Sequence, residues 1–86
     1  MQLEADALKS TVNRLNRAQG QLSGVLRMLA EERDCADVVT QLAAVSRALD
    51  KAGFAIIAAG LEQCIIAGED GQLDRAKLER VFLSLA

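Results

Sequence analysis

The sequence predicts an all-α protein with three helices per chain, and three observations predict it. The 86 residues contain no proline, and helix-favouring Ala, Leu, Glu, Arg and Gln are abundant. Apolar residues recur at alternating steps of three and four over two long stretches, the period of one helix face. Polar or glycine-containing clusters interrupt this pattern at 31–34 and 68–71. There is no internal repeat, low-complexity tract or long linker, so residues 1–86 are expected to form one domain.

The first helix carries Leu8, Val12, Leu15, Leu22, Leu26 and Leu29 at spacings of 4, 3, 7, 4 and 3. This is a heptad-like stripe, with Gln19 at the missing step. Gly20 and Gly24 lie four apart within it and weaken helix propensity, so close helix packing is expected around them. Glu31-Glu32-Arg33-Asp34 closes the segment. Asp34 is placed to N-cap the next helix, with Asp37 in its first turn, where a negative charge is favourable. That second helix is predicted from about Ala36 to Ile66. Val38, Leu42, Val45, Leu49, Ala52, Ile56 and Ala59 form one row, and Val39, Ala43, Ile57, Leu61 and Cys64 a second. So broad a band suits a helix packed on two sides. Gly68-Glu69-Asp70-Gly71 reads as a turn. Asp74 is expected to cap a short third helix with Leu78, Val81, Phe82 and Leu85 on its apolar face.

Composition points outward from the single chain. Hydrophobic residues make up 51% of it, yet the only aromatics are Phe54 and Phe82. A chain this small buries only a modest core, so the aliphatic surplus predicts oligomerisation. No run of 18 apolar residues occurs, and no membrane span is expected. The acidic N-terminus, Met1 to Asp6, lacks the features of a secretory signal, which points to the cytoplasm. The net charge of −2 speaks weakly against nucleic acid. Its distribution speaks for it. Between Ala7 and Ala30 lie Lys9, Arg14, Arg17 and Arg27 and no acid, and a local basic patch is what a phosphate backbone meets.

Two cysteines, Cys35 and Cys64, stand near the ends of the predicted second helix, and the chain has no histidine. At ~1.5 Å per residue their separation along a continuous helix is roughly 40 Å. A disulfide needs Cα atoms within about 7 Å. The pair therefore cannot meet inside one subunit. If two copies of the helix pack antiparallel, Cys35 of one lies beside Cys64 of the other, and symmetry makes two such sites. That arrangement suggests a thiol switch bridging subunits. The plainer alternative is that both are small buried hydrophobes. Cys64, on an apolar row, fits that reading. Cys35, among Arg33, Asp34 and Asp37 at a helix start that favours thiolate, does not.

The run Asn13-Arg14-Leu15-Asn16-Arg17-Ala18-Gln19-Gly20-Gln21-Leu22-Ser23-Gly24 resembles the first-helix signature of the CsoR/RcnR repressors. So do Asp34-Cys35, Gln41-Leu42-Ala43-Ala44-Val45 and Cys64, and together they span nearly the whole chain. The resemblance implies an antiparallel helical-bundle dimer that assembles into a dimer of dimers and represses operons by binding operator DNA. Family members sense copper(I), nickel or cobalt, formaldehyde, or reactive sulfur species. Copper sensors place a His four residues before the second Cys; here that position is Gly60. The bare Cys35–Cys64 pair is similar to the persulfide-sensing branch, CstR, whose cysteines link across subunits. On this likeness a persulfide or polysulfide is the inducer. Cys35 attacks, and Cys64 of the facing subunit resolves to a di-, tri- or tetrasulfide.

The resemblance also implies DNA contact for basic residues at Arg14 and Arg17, three apart on one helix face, and at Arg47 and Lys51, four apart on another. An ordinary solvated face is the bland alternative for all four. No helix-turn-helix, zinc-finger or aromatic RNA-binding pattern is present, so phosphate contacts and DNA shape are expected to dominate. Two thiolates alone could hold Cu(I) linearly, which keeps a Cu(I)-responsive repressor using Cys35 and Cys64 as the nearest rival. Zinc would want three or four protein ligands. A helical interaction module with inert cysteines is the rival from another class. No histidine base, phosphate-binding loop or partnered nucleophile supports an enzyme, and no cofactor is implied.

Overall fold

The computed structural model describes residues 3–4 and 6–85, and the burial of Leu85 is outside that description. The expectations for the N-terminal hexapeptide and for Leu85 on the third helix's face therefore fall partly outside the described residues. A 3-10 turn, Asp6–Leu8, leads into helix α1, Lys9–Ala30. Helix α2 runs Cys35–Ala67, a second 3-10 turn spans Gly68–Gly71, and helix α3 is Gln72–Leu85. The described residues contain helices and turns and no strand, as the composition implied.

The α1–α2 corner is built by local hydrogen bonds. Glu32 adopts φ 54°, the left-handed region. Its N–H donates to the Leu29 carbonyl at 3.2 Å, and the Arg33 N–H donates to the Met28 carbonyl at 3.0 Å. This is the Schellman closure, with glutamate in the place glycine usually takes. Asp34 then caps α2 as expected, its carboxylate accepting the Ala36 N–H at 3.1 Å. The tight corner sets α1 and α2 antiparallel.

At the other end of α2, no irregular segment intervenes before α3; the Gly68–Gly71 turn joins the two directly. Gly68 takes φ 66°. A Cβ at Gly71 would stand 2.8 Å from the Cα of Cys64 and nearer still to its carbonyl oxygen, so only glycine lets the elbow close. Asp74 is not the residue that precedes α3. It lies in the first turn of a helix already begun at Gln72, because the 3-10 turn delivers the chain in helical conformation. α3 folds back along α2, and the Phe54 and Phe82 rings meet with centroids 5.6 Å apart.

The seam between α1 and α2 is narrower than the heptad pattern implied. Thr11, Ala18 and Val25, at steps of seven, are the buried residues of α1. Leu8 and Leu15 are half-buried, while Val12, Leu22, Leu26 and Leu29 are exposed. On α2, Val38, Val45 and Ala52 are buried as expected, with Ile57, Gly60 and Cys64. Leu42, Leu49 and Val39 are exposed. Val25, Val38 and Val45 cluster with Met28 against them. Small and β-branched residues line the contact, and the larger leucines of the same periodic pattern are left outside it. Within the chain Gly20 and Gly24 do not serve as packing sites either, since a Cβ at each would meet nothing within 4 Å. Their neighbourhood is open surface.

The chain is a slab of 54 × 26 × 13 Å. Its long axis is close to the ~50 Å length of the 33-residue α2, and its thickness is about that of one helix with side chains. One 18-residue window in the helical stretch Cys35–Ser84 reaches a mean hydropathy of 1.4. By length and composition alone that stretch could cross a membrane, although its apolar residues do not form one continuous run. Only 22% of the window is buried within the chain.

Candidate functional site

Cys35 is the first residue of α2 and is exposed; Cys64 lies 29 positions on and is buried. The helix between them is unbroken, so their separation is about 44 Å, far beyond disulfide reach. The chain does not bring its two thiols together. Cys64 is covered by the elbow, with Gly71 against its backbone. A pocket of about 330 Å³ lined by Cys64, Gly68, Gly71 and Arg75 adjoins it. Arg75 is held in an exposed ion pair with Glu79 at 3.1 Å. Gly60, one turn before Cys64, is buried on the same side of α2. Among the described residues no three His, Cys, Asp or Glu side chains gather closely enough to hold a metal ion. The residues within one chain do not fit a three-ligand metal site.

The four basic residues singled out from the sequence do converge. Arg14 and Arg17 on α1 and Arg47 and Lys51 on α2 line one open cleft of about 290 Å³ between the helices. Antiparallel packing causes this, because the N-terminal half of α1 runs beside the middle of α2. None of the four forms an ion pair among the described residues, so their charge is directed outward. The floor holds Ala44 and Ala48, small side chains that keep the cleft open.

Sequence reasoning missed the continuation of this cleft. A second groove of about 470 Å³ follows, lined by Gln21, Gly24, Arg27 and Arg33 among others. Gln21 belongs to both. It lies seven residues after Arg14 and four after Arg17, a helical spacing that was available as a signal. At the far end Arg33 pairs loosely with Glu31 at 3.7 Å.

Comparison with known proteins gives consistent results. Residues 7–84 match the family described as "Metal-sensitive transcriptional repressor". The copper-sensing transcriptional repressor CsoR of Mycobacterium ulcerans is 39% identical over 62 residues, 72% of this chain and 53% of that protein. The copper-sensing transcriptional repressor RicR of Mycobacterium tuberculosis is 36% identical over 70 residues, 73% of each chain. Among solved structures, the nickel-responsive transcriptional regulator InrS superposes with a TM-score of 0.75 at 31% identity. That match covers 100% of this chain and 98% of the other. The chain spans about half the length of the mycobacterial CsoR proteins it matches.

Proposed function

This chain belongs to the CsoR/RcnR family of metal-sensitive transcriptional repressors, and on that footing we propose that it is a homotetrameric repressor of operator DNA released by reactive sulfur. The family consists of transcriptional repressors rather than enzymes. In the proposed DNA-bound state the thiols are reduced, and Arg14, Arg17, Arg47 and Lys51 face the phosphate backbone. The observation that supports this surface is their convergence, unpaired among the described residues, on one cleft.

The observation that carries the inducer assignment is the pair of thiols at opposite ends of one unbroken helix, without a third ligand. Antiparallel pairing of α2 across subunits would set Cys35 of one protomer near Cys64 of the other. Exposed Cys35 is the attacking group. Its thiolate attacks the terminal sulfur of a low-molecular-weight persulfide, RSSH. A Cys35 persulfide forms and the thiolate RS⁻ leaves. The Cys64 thiolate of the facing subunit then attacks the inner sulfur. The disulfide closes and HS⁻ departs, so two thiols are oxidised as one sulfane sulfur is reduced to sulfide. Where both cysteines already carry persulfide, their condensation gives a trisulfide and releases hydrogen sulfide. Because Cys64 lies beneath the Gly68–Gly71 elbow, bridging requires the elbow to move. That movement would carry the change to the rest of the molecule.

The names of the relatives favour a second reading, a Cu(I)-responsive repressor using the same two thiolates. Intact mass spectrometry beside duplex-DNA binding, after separate treatment with a polysulfide, hydrogen peroxide and Cu(I), tests both. Polysulfide should add mass in steps of one sulfur atom, link two chains and abolish DNA binding. Release by stoichiometric Cu(I) with no sulfur adduct would replace the persulfide reading with the copper one. Failure to bind any duplex would leave the helical interaction module.

A further inference from the structure

We propose that Gln21 is a base-reading residue, placed midway along a DNA-contact groove that extends past the four-cation cleft to Arg27. The inference rests on the DNA-binding reading above and adds to it the source of sequence discrimination. Gln21 is the residue shared by the two clefts. The stretch of α1 from Arg14 to Arg27 measures about 20 Å, or about six steps along one DNA strand at ~3.4 Å each. No acid lies on α1 within it. The Glu31–Arg33 pair marks its end.

The chemistry of the lining divides the labour. Guanidinium and ammonium groups grip phosphates without reading sequence. A glutamine amide both donates and accepts, and it pairs in bidentate fashion with the N6 and N7 edge of adenine in the major groove. Gln21 is exposed, and its amide has no hydrogen-bond partner among the described residues. The surface around it is cut back, since Gly20 and Gly24 flank it with open space where their Cβ atoms would be. Nothing within the chain explains two glycines there. A duplex approaching α1 closely does, because the missing side chains let a base edge come within reach of the Gln21 amide.

The test starts from a pool of random-sequence duplexes about three helical turns long, from which the wild-type protein selects a preferred sequence. Affinity is then measured for that duplex and for a scrambled one of the same composition. Gln21→Ala should lose about tenfold or more on the preferred duplex and nothing on the scrambled one. Its salt dependence should be unchanged. Arg27→Ala should weaken both equally and reduce the log–log salt slope by about one. Selection repeated with Gln21→Arg should replace an adenine by a guanine at one position of each half-site. Equal selectivity in wild type and Gln21→Ala, at matched circular dichroism, would overturn the proposal. So would equal weakening on both duplexes. If Gly24→Ala alters the mass of the assembly but not the DNA preference, the surface faces a second copy of the chain instead. If the wild type retains no duplex from the pool, the DNA reading beneath the proposal fails rather than the role of Gln21.

Discussion

Replacing Leu26 or Leu49 with glutamate tests whether this fold is complete only as an assembly. The described chain exposes 6529 Å² for a mass of 9.2 kDa. A compact monomer of that mass is expected to expose about 4,900 Å². The excess, ~1,600 Å², is about twice the ~800 Å² that each partner contributes to a standard interface, and doubled it falls within the range of obligate dimers. Leu26 is 62% exposed and Leu49 47%. On a true monomer either substitution would change stability by less than about 0.5 kcal/mol. In an assembly each buries a carboxylate without a partner, at several kcal/mol per copy. Taking about 3 kcal/mol and two copies per interface, association weakens by about 6 kcal/mol, roughly four decades in dissociation constant. Sedimentation equilibrium at micromolar concentration reads this directly. The wild type should sediment as a dimer or tetramer and the variants should dissociate, with loss of helicity. A folded wild-type monomer, or variants indistinguishable from it in mass and melting, would refute the reasoning and the intersubunit thiol site with it.

Four further outcomes are expected. Arg14→Ala, Arg17→Ala and Lys51→Ala should each weaken duplex binding without unfolding the protein and flatten the log–log salt slope by about one; unchanged affinity in all three would move the DNA surface elsewhere. A sulfane-sulfur donor should give a covalent dimer on non-reducing gels whose tryptic peptides join Cys35 of one chain to Cys64 of another. Reductant should reverse it, Cys35→Ser should keep its DNA under donor, and a Cys35–Cys35 or Cys64–Cys64 link would exclude antiparallel pairing of α2. Cu(I) should bind the thiolates yet leave DNA bound, because Gly60 supplies no nitrogen ligand; efficient release by copper in a gel-shift titration would contradict this. Gly71→Ala, forced against the backbone of Cys64, should cost about 1–3 kcal/mol by analogy with overpacking. At ~4–8 °C per kcal/mol for a domain of this size, the melting temperature should fall accordingly, and an unaltered melt would show that the elbow is looser than described.

Much of this architecture was legible before the structure. The polar run after Ala30 and the glycines at 68 and 71 located both corners, and Asp34 was identifiable as a cap because its carboxylate sits where the first free N–H groups of α2 need an acceptor. Two features were not legible. The 3/4 alternation in α1 fits two adjacent helical rows equally well, and the larger leucines drew attention to the row whose C-terminal half, Leu22 to Leu29, the chain itself leaves bare. Thr11 and Ala18, too small or too polar to stand out, form the actual seam. The glycines of α1 looked like packing contacts, and only their open surroundings separate them from that use. In the basic cleft, residue type and helical spacing located each cation on its own helix. The pairing of Arg14 and Arg17 with Arg47 and Lys51 across α1 and α2 depended on the antiparallel hairpin, which no single helix encodes. Gln21 shared the helical spacing of Arg14 and Arg17 but was passed over, because a search for phosphate contacts follows charge and an uncharged amide has none.

The 13 Å thickness of the chain has a bearing on the life of the protein in a cell. In the proposed assembly each protomer takes its interior from its neighbours, so stability varies with copy number: a tenfold fall in protomer concentration removes about 1.4 kcal/mol from a dimer's association free energy. Newly made or diluted chains would be open to proteases until they find one another. Repression would then switch on above a threshold of accumulated protein rather than in proportion to it. A covalent sulfur bridge would preserve the released, induced form through dilution, so a dividing cell would hand the memory of its exposure to its daughters for as long as the bridge stays oxidised.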